Sequence, residues 1–273
     1  YVDGFKKQDG TVVEVNEDNS GSVNPNLPLW EHIPDAEPHV FWSRDDLEWR
    51  VYMYGSHDNT SVCGDDHVVW SAPVYDLSEW RWEGEIIRVE AMQPGGPGGG
   101  PGGDFPGGET EGDVQTMAAD SGERMGGGSL FAPDCDYDLS TDNYVLMTFE
   151  NGQRCAMYLG DSPVARFDAD EEQHVYDFPT GFGSTEGPVE KYCTDPAIYI
   201  EDDGTIYVMG NIQKGCATEE VQTAMTEAGD SQTAIIHKVL RNENGEFYVA
   251  ESSYMPTSDG QIYFSMFEGL SIR

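Results

Sequence analysis

Four carboxylates each stand just ahead of, or at the start of, a short β-prone run: Asp35 in "IPDAEPHVFW", Asp134 in "APDCDYDL", Asp195 in "TDPAIYI" and Glu268 in "FEGLSIR". Acids delivered to one pocket from separate parts of a chain suit glycoside hydrolysis. That chemistry needs one carboxylic acid to protonate the leaving oxygen and one carboxylate to activate water or attack carbon. Mutual repulsion and partial burial would push the pKa values apart and so assign the roles. A single such Asp reads more simply as a turn cap; four at matching places read as a site. Glu37, two residues after Asp35, is a rival for the same role in the first copy.

The elements that would position these acids are strands. Short alternating runs rich in Val, Ile, Tyr, Trp and Phe recur between Gly, Asp, Asn and Pro, and few stretches carry helical spacing, so the fold class is all-β. In "TDPAIYIEDDGTIYVMG" the runs Ala197–Ile200 and Thr205–Met209 flank Asp202-Asp203-Gly204, a strong hairpin signal. The order carboxylate, strand, acidic turn, aromatic-bearing strand appears from Pro34, from Ala132 and from Thr194, and Phe267 opens a fourth copy. The lead acids are separated by 99, 61 and 73 residues, and the first gap falls to 64 once a 35-residue Gly-rich insertion is set aside. Further strands are predicted at His67–Ala72 and Trp80–Val89, at Arg154–Leu159 and Val164–Phe167, and at Ala234–Val239 and Glu246–Glu251. Four strands per copy make a propeller blade, with about three blades and the start of a fourth present. The first strands of successive blades line the central axis, which would bring the four acids to one cavity.

The composition excludes other classes. With 14 Lys and Arg against 51 Asp and Glu, the net charge of −37 is wrong for a nucleic-acid backbone. The acidity reads as a solvated, self-repelling surface. No apolar run is long enough to span a membrane. The five cysteines are odd in number, far apart and without a C-x-x-C pair, so they read as buried thiols. That, with no basic-then-apolar leader at the start of the sequence, leans the expectation towards the cytoplasm. Residues 1–23 read as a linker or N-terminal extension and residues 24–273 as the propeller domain, with the Gly-rich stretch 94–128 as an irregular exposed insertion.

The segments "NPNLPLWEHIPDAEPHVFW", "VYMYGSHD", "VVWSAPVYDLSEWRWEG", "LFAPDCDYD", "CTDPAIYIEDDGTIYVMG" and "FEGLSIR" together resemble glycoside hydrolase family 43, five-bladed propellers acting on arabinose- and xylose-containing glycans. The resemblance implies an inverting α-L-arabinofuranosidase or β-xylosidase type of enzyme, with an oligo- or polysaccharide as substrate. It implies Asp35 as general base, Asp195 as the residue that tunes the acid and orients substrate, and Glu268 as general acid. The usual first motif has Pro close behind Asp, whereas Ala36-Glu37 intervenes here, which keeps Glu37 open as the base. Asp134 is expected at the equivalent point of the second blade, lining the sugar subsite. A five-bladed ring also asks for the rest of a fourth blade and a fifth, so the chain reads as part of such an enzyme. Two alternatives stay open: a non-catalytic carbohydrate-binding propeller, and a related five-bladed glycosidase with a retaining mechanism.

Around the acids, His57 and Asp58 in "YGSHD" are candidates to hydrogen-bond a sugar hydroxyl, or to cap a turn. Trp30, Phe41, Trp70 and Phe131 are candidates to stack on a sugar face, against the plainer reading of core aromatics. No metal or cofactor is required by this chemistry. "DCDYDLSTDNYV" alternates acids like a calcium loop, but Leu139 and Val145 stand where an EF-hand needs Gly and Glu. The resemblance still admits a structural calcium on the propeller axis.

Overall fold

The computed structural model describes residues 5–6, 12–13, 27, 31–57, 64, 66–88, 130–152, 154–180 and 192–254. The Gly-rich insertion, the fourth copy from Phe267, and Cys63, Trp30, Asp58 and Glu268 lie outside them. Within 1–23, the stretch read as a linker or N-terminal extension, β1 (Phe5–Lys6) and β2 (Val12–Val13) pair as a small antiparallel ribbon.

The rest is three four-stranded antiparallel meanders. Blade 1 is β3 (Glu37–Ser43), β4 (Glu48–His57), β5 (Asp66–Pro73) and β6 (Arg81–Arg88). Blade 2 is β7 (Leu130–Asp138), β8 (Asn143–Glu150), β9 (Arg154–Gly160) and β10 (His174–Pro179). Blade 3 is β11 (Thr194–Ile200), β12 (Ile206–Gln213), β13 (Gln232–Arg241) and β14 (Phe247–Tyr254). The chain is an all-β propeller, as its strand pattern predicts. The Asp-Gly hairpin forms as expected: Gly204 takes φ +84, its amide donates to the Glu201 carbonyl at 2.9 Å, and Asp203 accepts the Thr205 amide at 2.9 Å.

Blades adhere through their faces. Phe41, Tyr52, Tyr54 and Val69 of blade 1 pack on Leu130, Tyr144, Leu146 and Tyr158 of blade 2, all with under a tenth of their surface exposed. Val145, Met147 and Met157 of blade 2 pack in the same way on Ile198, Ile206 and Val208 of blade 3. Each such side chain contributes roughly 1.5–3 kcal/mol by leaving water, so the interfaces between blades hold the first strands in register.

Two elements depart from expectation. The fourth strand of blade 2 is His174–Pro179, not Val164–Phe167. The Phe167 amide instead bonds the Ile86 carbonyl of blade 1 at 2.8 Å, and its ring is fully buried in the core between blades 1 and 2. That apolar run serves a neighbouring blade rather than its own sheet. The unexpected helix α1 (Glu219–Ala228) is capped by Thr218, whose hydroxyl accepts the Val221 amide, and is ended by Gly229 at φ +81. Val221 and Met225 tuck it against Tyr192, Ile212 and Ile235, further along the same face of blade 3 that meets blade 2. No helix among the described residues is long and apolar enough to cross a membrane.

Candidate active site

Strand β7 lies between β3 and β11, and carboxylates stitch the three together. Asp134 Oδ2 accepts the Ile198 amide at 2.7 Å and Asp136 Oδ2 accepts the Ile200 amide at 2.8 Å. A step of two residues on β7 matches a step of two on β11, so these strands run the same way. On the other side, His39 Nε2 of β3 donates to Asp134 Oδ1 at 2.5 Å. The starts of β3, β7 and β11 therefore lie at one end of the propeller.

At that end the backbone repeats an unusual conformation. Asp35, Ala132 and Asp195 have φ of +54, +45 and +48. Each is followed by Ala or Pro and then by a residue of the first strand: Ala36-Glu37, Pro133-Asp134 and Pro196-Ala197. In blades 2 and 3 the ladder slips at this point, between Phe131 and Asp134 and between Thr194 and Ala197. Bulges of this kind re-aim a side chain at the rim of a sheet. A non-Gly residue held there costs about 1–3 kcal/mol and persists only where its surroundings enforce it. The repeat thus presents Asp35 from blade 1 and Asp195 from blade 3, with Ala132 at the same place on blade 2.

Two glycines allow the close approach this needs. A Cβ on Gly55 would sit 2.7 Å from Ile33 Cβ, where the turn carrying Asp35 crosses β4. A Cβ on Gly210 would sit 2.3 Å from Cys193 Sγ and 2.6 Å from the Thr194 carbonyl oxygen, beside Asp195. Each glycine lies one residue beyond the partner of the first regular strand residue, Tyr54 for Glu37 and Met209 for Ala197.

The structure places the other expected site residues as follows. Asp134 is not the blade 2 counterpart of Asp35 and Asp195; Ala132 is. Asp134 falls in register with Glu37 and Ala197, is 4% exposed, and spends both oxygens on His39 and Ile198. It ties blades together rather than lining a subsite. Glu37 opens β3, half-buried, opposite Tyr54. Trp70 is 5% exposed and donates through Nε1 to Glu31 Oε2 at 2.8 Å, so its face is not open for a sugar to stack. Phe41 is likewise core, packed between Tyr52 and Tyr144. Phe131 is half-buried beside Phe149. His57 is bracketed by acids, with Nδ1 2.8 Å from Asp66 Oδ1 and Nε2 3.2 Å from Glu31 Oε1. A cavity of about 210 Å³ lined by Trp42, Tyr52, Arg81, Glu83 and Tyr144 lies at the opposite end of β3 and shares no residue with these candidates.

Sequence reasoning passed over His39 and Glu31. Burial alone would lower the His39 pKa, but the hydrogen bond and charge of Asp134 outweigh it and raise the pKa above 6.5. For Asp136, burial raises the carboxyl pKa against the pull of the Tyr137 and Ile200 amides. No local pattern marks either His39 or Glu31, because their roles arise from partners far away in the chain. Calcium takes six to eight oxygen ligands. Among the described residues no cluster of three or more His, Cys, Asp or Glu could hold a metal ion, and the inner-strand carboxylates Asp134 and Asp136 are already taken by amides and His39. The four described cysteines, Cys135, Cys155, Cys193 and Cys216, are free and buried.

Fold and site together define a β-propeller that presents carboxylates from separate blades at one end of its axis. No family model matches the sequence. Over 222 residues, 80% of this chain, it is 31% identical to a xylosidase/arabinosidase of Thermoclostridium stercorarium. The match covers 39% of that relative's length. The chain resembles glycoside hydrolase family 43. Among solved structures it is similar to a family 43 arabinoxylan arabinofuranohydrolase from Bacillus subtilis, 20% identical across 84% of this chain and 42% of that one, with a TM-score of 0.46. It is also similar to an α-L-arabinofuranosidase from Clostridium thermocellum, 15% identical across 81% of this chain and 56% of that one, with a TM-score of 0.43.

Proposed function

We propose that the protein is a glycoside hydrolase cleaving arabinofuranosyl or xylosyl linkages of oligo- or polysaccharides by an inverting mechanism. The similarity to a xylosidase/arabinosidase supports the substrate class. The observation that carries the site is the shared positive-φ position of Asp35 and Asp195 at one end of the propeller. In this reading the Asp35 carboxylate takes a proton from water as that water attacks the anomeric carbon. The acid Glu268, which lies outside the described residues, gives its proton to the departing oxygen. Asp195 orients the sugar and keeps Glu268 protonated by its own negative charge.

The test is hydrolysis of nitrophenyl α-L-arabinofuranoside and β-D-xyloside by the full-length gene product, with the first-formed anomer followed by NMR. Turnover of either with inversion supports the reading. Turnover with retention replaces the mechanism, and inactivity on both together with binding of xylan or arabinan leaves a carbohydrate-binding propeller instead.

A further inference from the structure

We infer that Glu31 is a positioning residue for Asp35, a buried latch that holds the turn carrying the proposed base. The inference rests on Asp35 acting as that base. Glu31 lies four residues ahead of Asp35, and its side chain has no exposed surface. Its carboxylate accepts Trp70 Nε1 on β5 at 2.8 Å, lies 3.2 Å from His57 Nε2 at the end of β4, and accepts its neighbour's amide, His32 N–H, at 3.0 Å. A buried carboxylate is tolerable only when its oxygens are met by donors, and these come from two strands of blade 1.

His57 strengthens the latch. Its Nδ1 lies 2.8 Å from Asp66 Oδ1, a carboxylate that is itself 2% exposed. The ring thus stands between Glu31 and Asp66 and ties the turn to the end of β4 as well as to β5. The turn is therefore fastened at Glu31 on one side of Asp35, and at the Glu37–Tyr54 pairing on the other. Between these fastenings Ile33 crosses Gly55 at a distance that excludes a Cβ. An aspartate at φ +54 does not stay there unaided. With the latch cut, the 31–36 turn is free to relax and swing the Asp35 carboxylate off the water it must activate.

The experiment uses the full-length protein and whichever nitrophenyl glycoside the wild type turns over. Glu31→Ala is expected to lower kcat by roughly 10–100-fold, the scale of a misplacement of about 1 Å, with KM within about twofold of wild type. Glu31→Gln, whose amide oxygen still accepts from Trp70, should restore most of that loss. Trp70→Phe should lower kcat in the same direction by less. The decisive readout is the double variant: in an Asp35→Asn background, Glu31→Ala should change the residual rate no further, because a residue acting through Asp35 has nothing left to position. A merely structural role would subtract its loss again. Should Glu31→Ala fail to fold, Trp70→Phe carries the same cycle. Wild-type kcat in Glu31→Ala, or an undiminished loss in the Asp35→Asn background, overturns the latch while leaving the glycosidase intact. An inactive wild type, or Asp35→Asn at the wild-type rate, overturns the reading of Asp35 and the latch with it.

Discussion

Asp134 on β7 and Ile198 on β11 are joined by a 2.7 Å hydrogen bond between neighbouring blades, three residues past Asp195. At the rise of a strand this sets the bond about 10 Å from the site end. The same carboxylate holds His39 on β3. One buried acid on the middle blade thus fixes the relative height of the two blades that carry Asp35 and Asp195.

Replacing Asp134 by Ala should destabilise the fold by about 3–5 kcal/mol, since it strands a buried amide and leaves His39 without its acid. Asp134→Asn keeps an acceptor for Ile198 and should cost less, roughly 1–2 kcal/mol. Urea unfolding midpoints of the two variants check the order; equal midpoints would show that keeping an acceptor for the Ile198 amide counts for nothing.

Gly210→Ala places a methyl group against Cys193 Sγ and the Thr194 carbonyl oxygen, neither of which has room to move within a buried bulge. Overpacking of this kind costs about 1–3 kcal/mol. Activity should fall further than stability alone explains, because Asp195 is the next residue in the displaced segment. Gly152→Ala is the control for backbone strain alone: Gly152 has positive φ, which Gly210 does not, and open space where the Cβ would be. It should show backbone strain with little loss of kcat.

The division of labour between acids predicts different substrate dependence. Asp35→Asn should depress turnover of every glycoside by about 10²–10⁴-fold, since water activation is needed whatever leaves. Glu268→Gln should be as severe on natural oligosaccharides and mild on activated aryl glycosides, whose leaving groups need no proton. Measuring kcat against leaving-group pKa for both variants checks this, and a Glu268→Gln protein at full rate on oligosaccharides would reassign the acid.

Two buried histidines contribute to acid stability. Burial depresses His67 to about 3, where its Nε2 faces the Thr148 hydroxyl at 2.5 Å. His237 is depressed to about 4 by burial, against the pull of its bond to the Tyr192 carbonyl at 2.9 Å. Both folded values lie below the unfolded value of 6.5, so their contribution is full above pH 6.5 and is lost as pH falls towards 4 and 3. For His237 the loss is on the order of 3 kcal/mol. His39 has the opposite sign: its raised pKa adds stability that is complete below pH 6.5 and disappears as pH rises through the folded value. Melting temperature should therefore fall between pH 6.5 and 4, and His237→Gln should flatten that slope.

The amino-acid sequence by itself determined what depends on near neighbours. Alternation marked eleven of the twelve blade strands, and Asp202-Asp203-Gly204 set the tight turn, because glycine alone takes φ +84 without cost. The spacing put Asp35, Asp134, Asp195 and Glu268 at matching places, and of the described three only Asp35 and Asp195 share one. Tertiary structure decided the rest. Val164–Phe167 has the pattern of a strand, yet Phe167 is worth more buried between blades 1 and 2, and His174–Pro179 completes the sheet. Asp134 resembles Asp35 and Asp195 in sequence, but the bulge puts Ala132 at the positive-φ bend and sends Asp134 inward to Ile198 and His39. Glu31 reads as an ordinary surface acid until Trp70 and His57, 39 and 26 residues along the chain, close over it. Burial and pairing across blades set the free energy of such groups, and no local pattern of residues encodes which distant donor will arrive.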